Sequence, residues 1–185
     1  MRTGGFPIPQ DDGAGQRLQG AEVPSVVLES SHGRVDIAEL CSRLGVIYVY
    51  PLTGRPGRAM PTDWSQIPGA RGCTPQSWGF RDRAAELQRL GARVAGVSAQ
   101  ELDDQLEFAH RNEMPFPVIS DPDLRLRDAL GLPTFVVEGL VLYKRLAFVA
   151  ENKRIVKVFY PVFPPEQSAA TVLDWLGARV AAGAA

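Results

Sequence analysis

Cys73 stands directly before Thr74 and Pro75 in the stretch Gly72-Cys73-Thr74-Pro75-Gln76-Ser77-Trp78-Gly79-Phe80-Arg81-Asp82. Thr-Pro predicts a helix start. Thr74 suits the N-cap, and Pro75 suits the first helical position, where its missing N–H is no loss. Cys73 then lies at the positive end of a helix dipole, which favours thiolate, the reactive form of a cysteine. The other cysteine is Cys41, and the two histidines are His32 and His110. All four are far apart and have no metal-site spacing, so neither a metal nor a cofactor is expected. His32 in a turn and His110 in a helix are expected to face solvent.

Several elements must position that cysteine. Val46-Ile47-Tyr48-Val49-Tyr50 reads as a buried strand ending at Pro51. Residues 51–72 form a long loop rich in glycine and proline. A helix is expected from about Pro75 to Leu90, stopped by Gly91. Upstream, Val26-Val27-Leu28 is a short strand and residues 36–43 a short helix. Downstream, strands are expected at residues 94–97 and 116–119. Ser98 and Glu101 form a capping box for one intervening helix, and Asp121-Pro122 opens another. Residues 146–149 and 155–159 pair as a hairpin around Glu151-Asn152-Lys153, and a last helix carries Val172, Leu173, Leu176 and Val180. Strand–helix alternation of this kind calls for an α/β fold. The sheet should be mixed and mostly parallel with helices on both faces, an order compatible with a thioredoxin-like fold.

Composition limits the classes of function. A chain of 185 residues builds one ordinary core. Its net charge is -1 and its basic residues are scattered, which argues against a nucleic-acid partner. The apolar runs are too short to span a bilayer, so no membrane partner is expected. Two cysteines make no disulfide framework, which fits a reducing compartment and a cytoplasmic protein. Residues 1–22 read as a loose N-terminal arm, residues 23–181 as one domain and residues 182–185 as a tail.

The cysteine segment resembles the peroxiredoxins, in particular their bacterioferritin-comigratory-protein (Q-type) branch. The match runs in order through Gly72-Cys73-Thr74-x-Gln76, Phe80-Arg81-Asp82, Gly91-Ala92-Arg93-Val94-Ala95-Gly96-Val97-Ser98, Phe116-Pro117-Val118-Ile119-Ser120-Asp121 and Lys144-Arg145-Leu146-Ala147-Phe148-Val149. The resemblance covers about Val23 to Phe159. It implies a thioredoxin-like fold and a thiol-dependent peroxidase that passes through a cysteine sulfenic acid. Cys73 would be the nucleophile and Arg145 the cation beside it, with Pro51, Thr74 and Gln76 binding substrate or supporting the site. An arginine suits that place because it stays charged and offers several donors. The implied partners are a hydrogen peroxide or organic hydroperoxide substrate and an external thiol or thioredoxin-like reductant, acting on a monomer or homodimer.

Departures from the family pattern matter as much. Ala70 stands where the family has a hydroxyl three positions before the cysteine, and Pro51 lies 22 positions before Cys73 instead of close by. Thr53, Thr62 and Ser77 are candidate replacements for that hydroxyl. Trp78 stands where the Q-type branch often carries its resolving cysteine. Cys41 precedes the strand 46–50 while Cys73 follows it. Five extended residues span roughly 16 Å, and a disulfide needs Cα atoms within about 7 Å. Cys41 therefore reads as a small buried apolar residue, and the peroxidase as a one-cysteine type. Arg81 and Asp82 read as a structural ion pair or as site residues. Two other readings stand beside this one. A thioredoxin-type exchange would use Gly131-Leu132-Pro133-Thr134-Phe135, but no Cys-x-x-Cys exists to run it. A peroxide sensor or redox-regulated binding module would keep the fold with little turnover.

Overall fold

The computed structural model describes residues 6–183. In chain order the elements are α1 (Ala14–Leu18), β1 (Val27–Ser30), β2 (Gly33–Asp36), α2 (Ile37–Leu40), β3 (Leu44–Val49), α3 (Cys73–Asp82), α4 (Ala84–Arg89), β4 (Ala92–Ser98), α5 (Leu102–Arg111), β5 (Val118–Ser120), α6 (Arg125–Leu130), β6 (Thr134–Val137), β7 (Leu140–Tyr143), β8 (Leu146–Glu151), β9 (Arg154–Phe159) and α7 (Ser168–Gly183).

Seven strands form one sheet in the order β2-β1-β5-β4-β3-β8-β9. The sheet is mixed, with β3–β4 and β4–β5 parallel and every other pairing antiparallel. Parallel pairing is thus confined to the centre, less than the sequence suggested. Parallel neighbours need a crossover helix, and only the β3-to-β4 and β4-to-β5 connections carry one between adjacent strands.

Alternation along β3 explains its unbroken apolar run. Ile47 and Val49 face a core that includes Ile37 of α2 and Leu126 of α6. Val46 and Tyr48 face the opposite core, with Phe80 of α3, Phe108 of α5 and Val172 of α7. Both faces are dry, so the strand has no polar side to show. Burying each such side chain stabilises the fold by about 1.5–3 kcal/mol. The Tyr48 ring stacks on Phe80 at 4.4 Å and ties α3 to the sheet. Gly96 on β4 makes room for it, since a Cβ there would come within 2.5 Å of the Tyr48 ring.

Several expectations are corrected. The expected helix 75–90 is two helices, α3 and α4, parted at Arg83. The Ser98–Glu101 capping box does not form: Ser98 Oγ donates to the Pro51 carbonyl at 3.1 Å, and Glu101 is an N-cap without a side-chain bond. Burial of Ser98 at the strand end directs it to the loop instead.

The hairpin β6–β7 is an element that periodicity alone passed over. It forms its own two-stranded sheet, turned by Glu138 and Gly139 at φ 48 and 77. That pair of positive φ values is the geometry of a two-residue hairpin turn.

The expectation of a loose arm also fails over residues 6–22. Ala14 and Leu18 of α1 are buried, Gly20 N–H bonds to the Ile155 carbonyl, and Lys144 holds Asp12 at 2.7 Å. The buried apolar residues in this segment are few: α1 packs on β9, and Leu18 joins the core that includes Ile155. Residues 1–5 of the arm and 184–185 of the tail lie outside the described residues.

Candidate active site

The sulfur of Cys73 is placed by the C-terminal end of β3 and the start of α3. α3 begins two residues earlier than expected, at Cys73 rather than Pro75. Its N-cap is Gly72, at φ 107, and Gln76 N–H bonds back to the Gly72 carbonyl at 3.0 Å. Thr74 is therefore not the cap, and Cys73 is the first residue of the helix. Glycine at 72 is required twice over: the φ is left-handed, and an added Cβ would come within 2.2 Å of Pro165. Cys73 and Thr74 lie in the first turn, whose N–H groups have no acceptor within the helix. Pro75 has no N–H to offer and fits that turn as well.

Arg145 meets Cys73 from the other side. It enters from the segment between β7 and β8 and is 4% exposed. Its Nη2 lies 3.1 Å from Cys73 Sγ and also donates to the Ala70 and Arg71 carbonyls at 3.0 and 3.2 Å. Its Nη1 donates to Gln76 Oε1 at 2.5 Å. Gln76 is fully buried, and its Nε2 reaches Ser168 Oγ at 3.3 Å. The chain Ser168–Gln76–Arg145 thus aims the guanidinium at the sulfur. The Leu52 N–H adds a donor to Cys73 Sγ at 3.4 Å. That N–H follows Pro51, which is buried with its carbonyl tied to Ser98.

Of the residues singled out from sequence, Cys73, Arg145 and Gln76 converge. Pro51 acts one residue away through Leu52. Thr74 lines the cleft over Cys73 as a half-buried side chain. Of the proposed replacement hydroxyls, Thr53 Oγ1 is bonded to Gln100 Oε1 at 3.0 Å, Thr62 is exposed, and Ser77 is buried on the inner face of α3 toward Tyr48. None lines that cleft; among the described residues, Thr74 and Ser65 are the hydroxyls that do.

The remaining residues fall outside the site. Cys41 is a free thiol with no exposed surface at the opposite end of β3, and burial pushes its pKa up to about 12. Trp78 is 42% exposed and donates from Nε1 to Asn112 Oδ1 at 2.7 Å, so it neither packs in the core nor meets Cys73. Arg81 and Asp82 form a surface ion pair at 2.9 Å, and both histidines are exposed.

A family model described as Redoxin matches residues 18–173. The chain belongs to the redoxin family. Among curated relatives, the putative peroxiredoxin Q, chloroplastic, of Oryza sativa subsp. indica is 27% identical over 155 residues, covering 83% of this chain and 64% of that one. This chain thus spans a little under two thirds of the rice protein. Among solved structures, the peroxidoxin BcpB of Mycobacterium tuberculosis has a TM-score of 0.70 at 24% identity, over 86% of this chain and 96% of that chain. The bacterioferritin comigratory protein of Xanthomonas campestris has a TM-score of 0.67 at 23% identity, over 85% and 96%. The redoxin has the thioredoxin-like fold that its element order suggested.

Sequence reasoning missed Leu52, Arg71, Ser65 and the docked residues 6–9. Leu52 and Arg71 act or are held through backbone atoms, which carry no residue-type signal. Ser65 lies in a loop with no periodicity to place it.

Proposed function

We propose that this redoxin is a one-cysteine, thiol-dependent peroxidase. One observation carries the reading: a buried arginine donates to the sulfur of a helix-start cysteine at 3.1 Å, with the Leu52 N–H beside it. Such donors stabilise the thiolate before reaction. They also stabilise the charge that grows on the departing oxygen during it. The relative from Xanthomonas campestris has alkyl peroxide reduction activity, which agrees with this reading.

In the first step, Cys73 thiolate attacks one oxygen of a hydroperoxide and the O–O bond breaks. The sulfur is oxidised to sulfenic acid, and the alkoxide or hydroxide released takes a proton to leave as alcohol or water. The family hydroxyl is replaced by Ala70, whose carbonyl instead accepts from Arg145. Thr74 is the hydroxyl beside Cys73 that can donate to the peroxide.

The test compares two substitutions in thiol-dependent peroxide consumption. Cys73→Ser should abolish turnover with the melting temperature little changed, and Cys41→Ser should keep most activity. The reverse pattern sinks the assignment. Stoichiometric oxidation of Cys73 without turnover in excess thiol would favour a peroxide sensor.

A further inference from the structure

The second half of the cycle needs a reductant that reaches the Cys73 sulfur. Cys73 is only 3% exposed, yet it opens on a cleft of about 590 Å³ between the 52–65 loop and the start of α3. That volume lies within the usual range for small-molecule sites. Met60 and Trp64 give the cleft an apolar wall. Among the described residues, its charged lining is one cation, Arg71, and one anion, Asp63. The Arg71 guanidinium rests 4.3 Å over the Phe6 ring, so the docked N-terminal segment props it in place.

The turn leading into Cys73 is fastened on two sides. Arg145 holds the Ala70 and Arg71 carbonyls, and Gly72 abuts Pro165 with no room for a Cβ. No cysteine lies further along this chain for the turn to unwind toward. A sulfur kept this deep admits a slender molecule more readily than the face of a protein.

We propose that this cleft binds the reductant, and that the reductant is a low-molecular-weight thiol carrying an α-amino carboxylate. Its carboxylate meets Arg71, its ammonium meets Asp63, and its sulfur meets Cys73. The proposal rests on the reading of Cys73 as the peroxide-reducing cysteine. The thiol attacks the sulfenic sulfur, an S–S bond forms, the S–O bond breaks, and the oxygen leaves as water with the thiol's proton. A second molecule of the same thiol then attacks the mixed disulfide. It releases Cys73 reduced and leaves the two small thiols joined as a disulfide, so two electrons come from two thiols.

The test begins with protein oxidised by one equivalent of hydrogen peroxide, its sulfenic acid confirmed by the mass of a dimedone adduct. The oxidised protein is mixed with L-cysteine, cysteamine, 3-mercaptopropionate or 2-mercaptoethanol at matched thiolate concentration. Mixed-disulfide formation is followed by quenched-flow mass spectrometry. L-cysteine should be fastest, with each charge contributing up to about fivefold, the upper end for an exposed ion pair. Arg71→Gln should remove the advantage of the carboxylate. Asp63→Asn should remove that of the ammonium while keeping a residue that tolerates the positive φ at 63. A reduced thioredoxin-type dithiol protein at the same concentration should be slower than L-cysteine. Equal rates for the four thiols, an unchanged ranking in both variants, or a faster dithiol protein would each overturn the proposal. Absence of the dimedone adduct, seen before any thiol is added, would instead remove the peroxidase reading, and the proposal with it.

Discussion

Replacing Arg145 by alanine is the most discriminating perturbation of the site. The guanidinium contacts Cys73 Sγ at 3.1 Å and satisfies Gln76 Oε1 and the carbonyls of Ala70 and Arg71. Two losses follow. The first is kinetic: removing one well-placed donor to developing charge costs roughly 100–1,000-fold in rate. Leu52 N–H and the first turn of α3 remain, so the lower part of a range of about 10–1,000-fold is accessible, or about 1.4–4 kcal/mol of barrier. The second is structural: three acceptors lose a donor, and each that stays dry costs about 1–3 kcal/mol of stability. Arg145→Lys should restore only part of both, because an ammonium is not a planar fork and cannot hold Gln76, two carbonyls and the sulfur at once. The assay is single-turnover formation of sulfenic acid in stopped flow, read beside a thermal melt of each variant. A folded Arg145→Ala protein that reacts within twofold of the parent rate would refute the argument that this arginine stabilises the charge in the transition state.

Three further outcomes are expected. Gly72→Ala should lower the melting temperature, because it combines a left-handed φ with a Cβ pressed against Pro165; a melt equal to the parent's would show that the turn is not fastened there. Cys41, with its pKa pushed up to about 12 by burial, should resist an alkylating reagent at pH 8 until denaturant is added; rapid labelling of Cys41 in the native protein contradicts this. Asp12 is held down at about 2, chiefly by its hydrogen bond from Lys144, so its contribution is complete above its ordinary value near 3.8 and fades as the pH falls through about 2. A small gap in melting temperature between parent and Asp12→Asn should therefore be present at pH 5 and close near pH 2, and a gap independent of pH counts against the Asp12–Lys144 tie.

The sequence alone carried the strand leading to the site, the helix bearing the cysteine, and the two residues that meet across it. Local signals suffice for these. Val46 to Tyr50 is apolar on both sides because both faces of the strand are buried, and Cys73 before Thr-Pro marks a helix start within two residues. The separation of Cys41 from Cys73 also followed from chain geometry, since a strand between two residues keeps them at its two ends.

Only the tertiary structure decided the rest. The cap of α3 is a glycine, Gly72, because Pro165, 93 positions later, leaves room for nothing larger. The donor beside the sulfur is the backbone of Leu52, and Arg145 finds its aim through Gln76 and Ser168. Residues 6–22 look too polar to fold, yet they dock because a handful of apolar residues and one ion pair meet surfaces built by distant segments. Backbone donors carry no residue label, and contacts between distant segments leave no period in the sequence, so neither is legible until the chain has closed on itself.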